Sequence, residues 1–226
     1  MTGHRRITLT FDNGPTPGVT EDVLDALAAR NAKATFFVIG EQLHQPGGYA
    51  LAERARAEGH RIGHHTATHT VQLGAAVDPD AAVAAEIAVI EAEIDALAEV
   101  DGSIGERLFR PYAAGGVLDT RVFSTAALDY LQEHRYTCAL WNCLPHDWEN
   151  PTTWVGDALE QIALLDWAVV VLHDMDTGAM DRLPAFLDAL LERGIEPVTE
   201  FPASCTPIKF GELRQSLSHL TAEMTS

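Results

Sequence analysis

The chain has 226 residues, 46% of them hydrophobic, which is enough apolar material for a domain-sized core. Its formal net charge is -18, and a surface that acidic repels phosphate backbones and anionic lipid heads, so neither nucleic acid nor a membrane is an expected partner. No run of about 18 apolar residues is present to span a bilayer.

Short apolar runs alternate with helical stretches along the chain. Ile7 to Phe11 reads as a strand, entered directly from Met1–Arg6 without a secretory leader. Val19 to Arg30 follows as a helix, with Val23, Leu24 and Leu27 at helical spacing. Ala34 to Ile39 is a second strand. Tyr49 to Glu58 is a helix stopped at Gly59. His60 to Gly63 is a short strand, delivering the run His64-His65-Thr66-Ala67-Thr68-His69. A long Ala/Glu-rich helix is expected from Pro79 to Val100, with an apolar stripe of Val83, Ile87, Ile90, Ile94 and Leu97 and a stop at Asp101-Gly102. Leu108-Phe109 is a strand, Thr120 to His134 a helix, Tyr136 to Trp141 a strand, Thr152 to Leu164 a helix and Trp167 to Leu172 a strongly buried strand. Asp181 to Arg193 is a helix, Ile195 to Val198 the last strand, and the tail reads as a weak helix. The absence of a linker, repeat or low-complexity tract points to one domain, residues 1–205, with 206–226 as a packed helical tail. The cysteines Cys138, Cys143 and Cys205 are odd in number and lack metal or redox spacing. They read as reduced thiols and, with no leader, suggest a cytoplasmic protein.

Alternating strands and helices imply an α/β fold with parallel strands, whose sites lie at the strands' carboxyl ends. Five successive strand ends here carry chemistry: Asp12-Asn13-Gly14-Pro15, His65 to His69, Arg110-Pro111-Tyr112, Asp147-Trp148 and His173-Asp174. His65 and His69, four apart, would point the same way on a helical turn and so seat one metal ion through two nitrogens. Asp12, His173, Asp147 and Arg110 are acid–base and charge-orienting types.

In order, these segments resemble the five motifs of the NodB-type polysaccharide deacetylases, the carbohydrate esterase family of metal-dependent amide hydrolases. The matching residues are Thr10-Phe11-Asp12-Asn13-Gly14-Pro15, His65-Thr66-Ala67-Thr68-His69, Arg110-Pro111-Tyr112, Leu144-Pro145-His146-Asp147-Trp148 and Val171-Leu172-His173, and they cover about residues 7 to 200. The resemblance implies a distorted (β/α) barrel of about seven parallel strands. It implies N-deacetylation of an amino sugar or related small molecule, and a small-molecule or oligosaccharide partner. It also implies a divalent metal, zinc being expected, on His65 and His69 with Asn13 in the third ligand position. Asp12 would be the general base and His173 the general acid. Asp147 would pair with His173, Arg110 would orient Asp12, and the Tyr112 N–H would stabilise the oxyanion. Trp148, Leu172 and Pro111 would contact the substrate.

The sequence departs from the family pattern at three places. Asn13 replaces the metal-binding aspartate, the third motif is one residue short before Tyr112, and Leu144 replaces the first aspartate of the fourth. Asn13 leaves two alternatives open: a metal-independent hydrolase of cyclic amides, imides or ureides, and a non-catalytic binding module. His60, His64 and His146 lie off the matched positions and read as structural, and Cys143 as inert.

Overall fold

The computed structural model describes residues 5–100 and 103–222. Its elements run β1 (Arg6–Asp12), α1 (Thr20–Ala28), β2 (Thr35–Val38), α2 (Gly40–Leu43), α3 (Gly48–Ala57) and β3 (Arg61–His64). They continue with α4 (Pro79–Glu86), α5 (Glu91–Ala98), β4 (Glu99–Val100), β5 (Ser103–Ile104), β6 (Leu108–Phe109), α6 (Thr125–Glu133) and β7 (Thr137–Cys138). The last are α7 (Trp154–Ala163), β8 (Trp167–His173), α8 (Leu183–Glu192), β9 (Pro197–Val198), β10 (Ile208–Lys209) and β11 (Glu212–Leu213). The fold is α/β with mostly parallel strand pairing, as the alternation of runs implies. Among the described residues no helix is long and apolar enough to cross a membrane.

The chain forms two compact units, residues 1–38, 42–62 and 141–202 in the first and 39–41, 63–140 and 203–226 in the second. In the first, β1 lies between β2 and β8, parallel to both, and β9 also pairs with its start. Every β1 residue after Arg6 is buried, as expected of a parallel strand covered on both faces. Side chains alternate, so Ile7, Leu9 and Phe11 share one face while Thr8, Thr10 and Asp12 share the other. The threonines satisfy their hydroxyls on backbone carbonyls, Thr10 donating to Val170 at 2.7 Å. This polar face carries Asp12 to the strand's carboxyl end.

In the second unit, β3, β6 and β7 are parallel, and β10 and β11 extend the sheet antiparallel. Val83 and Ile87, Val122, Phe123, Ala127 and Leu131, and the strand residues Phe109 and Cys138 form its core with Ile208, Leu217 and Leu220.

Three expectations are corrected. The helix read from Pro79 to Val100 breaks after Glu86, passes through a 3-10 turn at Ala88–Ile90 and resumes as α5. Its apolar stripe survives the break, which is why periodicity did not reveal it; the stop at Asp101-Gly102 lies outside the described residues. Among its described residues, 206–222, the tail forms no α-helix. Its β10–β11 hairpin turns on Phe210 and Gly211, whose φ values of 53° and 82° suit a tight two-residue turn, and a 3-10 turn follows at Ser218–Leu220. The segment His65–His69 is not a helical turn either, since Thr66 and His69 adopt left-handed φ of 65° and 57°.

Candidate active site

The first unit places Asp12 and His173 side by side. They are register partners on the neighbouring parallel strands β1 and β8. Both are at least nine-tenths buried. Asp147, with no exposed surface, tethers the histidine twice: its Oδ1 lies 2.8 Å from Nδ1 and its Oδ2 accepts the His173 backbone N–H at 2.9 Å. Burial alone would lower the histidine's pKa. The hydrogen bond and charge of Asp147, with the charges of Asp12 and Asp174, outweigh that and hold it above the usual value. The Nδ1–H donated to Asp147 orients the ring and directs Nε2 outward as the proton-carrying atom. The Trp148 ring packs edge-on against the imidazole, 4.7 Å between centroids. Leu172 lies on the opposite face of β8 from His173 and is fully buried beside its register partner Phe11. Its side chain is part of the packed interior beside the strand end.

The loop after β1 is equally constrained. Asn13 takes φ 75°, a conformation asparagine tolerates better than most side chains. Its Nδ2 donates to the Met175 sulfur at 3.3 Å, while its buried Oδ1 has no hydrogen-bond partner. Asp174 lies against Gly14 so closely that a Cβ there would sit 2.0 Å from Oδ2. Thr16 donates its N–H to Thr20 Oγ1 at 2.7 Å, and that hydroxyl donates to Asp174 Oδ2 at 2.5 Å. Burial pushes the Asp174 carboxyl up to about 7. Asp174 is an interior support of the motif-one loop. Its position directly after a buried strand-end histidine was the available signal.

The second unit carries the imidazole pair. His65 is buried, and its Nδ1 lies 2.9 Å from the Arg110 carbonyl. That bond makes Nδ1 the donor and places the lone pair on Nε2, the arrangement metal-binding histidines use. The His69 ring centroid lies 4.7 Å from that of His65 and 4.2 Å from that of Tyr112. Arg110 is fully buried and donates from Nε to the Ala139 carbonyl at 3.0 Å; Pro111 is buried after it. His64 accepts the Thr66 N–H on Nδ1 and donates from Nε2 to the Ile87 carbonyl. Burial lowers its pKa to about 4, so it is a neutral structural residue, as is His60, whose Nδ1 accepts the Ala34 N–H. Cys143 is buried with its thiol pushed up to about 12, which makes it unreactive.

Among the described residues no group of three or more His, Cys, Asp or Glu is arranged to hold a metal ion. Within the second unit the two imidazoles, with the His65 tautomer set by Arg110, are donors of the type a divalent ion takes.

A buried aspartate beside an aspartate-tethered histidine, at the carboxyl ends of parallel strands, is the arrangement of an α/β protein equipped for acid–base chemistry. The sequence matches the family model "Polysaccharide deacetylase" over residues 1–139, and the chain belongs to that family. It is 34% identical over 204 residues to a peptidoglycan-N-acetylglucosamine deacetylase of Bacillus cereus, covering 85% of each chain. It is 30% identical over 196 residues to the peptidoglycan-N-acetylglucosamine deacetylase PgdA of Listeria monocytogenes, covering 87% of this chain but only 38% of that protein. Its fold is similar to the solved structure of the peptidoglycan deacetylase PdaC from Bacillus subtilis, with a TM-score of 0.67, 26% identity and coverage of 87% and 89%. The α/β fold class expected from the motifs is thereby established.

Proposed function

We propose that this chain hydrolyses the acetamide of an N-acetylated amino sugar, free or within an oligosaccharide, releasing acetate and an amine. The observation that carries the reading is the register pair Asp12–His173 with Asp147 bonded behind the histidine. An amide needs a proton removed from water and a proton delivered to a poor leaving group, and these two side chains supply one each. Asp12 accepts the proton of the attacking water. His173, kept protonated by Asp147, gives its proton from Nε2 to the departing nitrogen as the C–N bond breaks. The edge of Trp148 limits where the substrate lies against that imidazole. The Tyr112 N–H is assigned to the oxyanion and Arg110 to orienting Asp12 by the motifs they occupy.

A divalent ion, zinc by expectation, held by His65 and His69 with Asn13 in the third motif position, would polarise the carbonyl and acidify the attacking water. Asn13 offers a neutral oxygen where the family pattern has a charged one, so this protein is expected to hold its ion more weakly. The relatives' names favour amide deacetylation over cyclic imide hydrolysis or a purely binding role. The test is acetate release from N-acetylglucosamine oligomers by zinc-supplied enzyme, compared with Asp12→Asn and His173→Ala. Acetate from the wild type and its loss in both variants support the reading. Undiminished release by either variant refutes the assignment of base and acid.

A further inference from the structure

The break in the helix after Glu86 coincides with a set of bonds to the His65–His69 loop, all inside the second unit. In an unbroken α-helix the Ile87 carbonyl would accept the N–H of Glu91. Here Ile87 departs to φ -117°, ψ -62°, and Glu91 bonds instead to the Ala88 carbonyl. The Ile87 carbonyl receives His64 Nε2 at 3.1 Å, and the Glu86 carbonyl receives the Ala67 N–H at 2.8 Å. The Glu86 side chain, only 2% exposed, completes the set. Its Oε2 accepts the Thr68 N–H at 3.0 Å and its Oε1 the Thr68 hydroxyl at 2.7 Å.

A buried carboxylate is a costly way to fill a core position that an apolar side chain would fill better. Its two oxygens grip the one residue between Ala67 and His69, while Thr66 Oγ1 accepts the His69 N–H at 3.0 Å. His69 itself sits at φ 57°, a backbone state a histidine holds only when its surroundings impose it. We propose that Glu86 is a positioning residue for the imidazole pair, the helix breaking after it so that its carboxylate and carbonyl clamp Thr68 and Ala67, between His65 and His69, while the Ile87 carbonyl holds the adjoining His64. The clamp spares the ion-binding step the ordering of a five-residue loop, and so raises metal affinity without touching the metal. This rests on the metal reading of the proposed function.

The experiment measures zinc affinity by competition with a chromophoric chelator. The proteins are the wild type, Glu86→Gln, Thr68→Ala, His65→Ala and, as a stability control, Val83→Ala on the same helix α4. Amide hydrogen exchange at Thr68 and His69 is followed on the zinc-free proteins. Expected are a loss of about 10-fold to 100-fold in affinity for Glu86→Gln, a smaller loss for Thr68→Ala, faster exchange at both amides in Glu86→Gln, and wild-type affinity for Val83→Ala. Zinc uptake that His65→Ala abolishes but Glu86→Gln leaves unchanged overturns the clamp and leaves the metal reading standing. An equal loss in Val83→Ala also overturns the clamp, since general destabilisation would then explain it. No uptake by the wild type, or uptake indifferent to His65→Ala, overturns the metal reading and the clamp with it.

Discussion

Replacing Asp147 by asparagine keeps the shape of the site and removes one charge. In the wild type the carboxylate accepts two hydrogen bonds from His173, on Nδ1 and on the backbone N–H. Asparagine offers one oxygen and one NH2, so one of these two donors faces another donor. A hydrogen bond to a charged group contributes about 1.5–3 kcal/mol. Its loss lowers the His173 pKa, and about 1.36 kcal/mol corresponds to a factor of ten in the protonation equilibrium. The acid form is then depleted about 10-fold to 100-fold on the alkaline side of the profile, and kcat/KM falls by that factor there. The assay is the pH dependence of kcat/KM for release of acetate from an N-acetylated sugar. The alkaline limb of Asp147→Asn is expected at lower pH than that of the wild type. Stability gives a second reading with a definite sign. A histidine whose folded pKa is raised stabilises the fold below its unfolded pKa of about 6.5, and that contribution fades as pH rises through the folded value. Asp147→Asn removes this decline, so the stability difference between wild type and variant is largest at acid pH. An alkaline limb that stays in place, with kcat/KM intact, would refute the tether between Asp147 and His173 as the source of the acid.

Three further outcomes follow from the same geometry. Asn13→Asp is expected to tighten zinc binding by restoring a charged oxygen at the orphaned amide position, measured by chelator competition; equal affinity would remove Asn13 from the ligand set. Gly14→Ala puts a Cβ 2.0 Å from the Asp174 carboxylate, so it is expected to lower the thermal midpoint by several degrees and reduce kcat, read by calorimetry and acetate release. The Asp174 carboxyl, raised by burial to about 7, is easier to bury protonated, so it costs the fold increasing stability as pH climbs from about 4 to 7. The cost approaches on the order of 4 kcal/mol, about three pKa units. Asp174→Asn is expected to flatten that slope in urea titrations at pH 5 and pH 8.

The motif residues were legible together rather than singly. An aspartate or asparagine directly after a buried apolar run is by itself an ordinary turn former, but five such polar ends in order specify a family. What stayed hidden is what tertiary bonds decide. His65 and His69 fit an i, i+4 helical spacing, yet the segment is held in left-handed turns by His64, Thr66 and Glu86, none of which local propensity reveals. The α4–α5 break is invisible for a related reason: Val83, Ile87, Ile90, Ile94 and Leu97 all remain buried across it. The tail was read as a helix although Gly211, at positive φ, marked the hairpin turn.

Cleavage of an acetamide by Asp12 and the Asp147-tethered His173 is the central proposal. Acetate quantified after incubating zinc-supplied protein with N-acetylglucosamine oligomers tests it most directly. Acetate in one-to-one ratio with newly formed amine, lost in both Asp12→Asn and His173→Ala, is the expected result. No acetate from the wild type between pH 6 and 9, with zinc uptake demonstrated in the same sample, would contradict it.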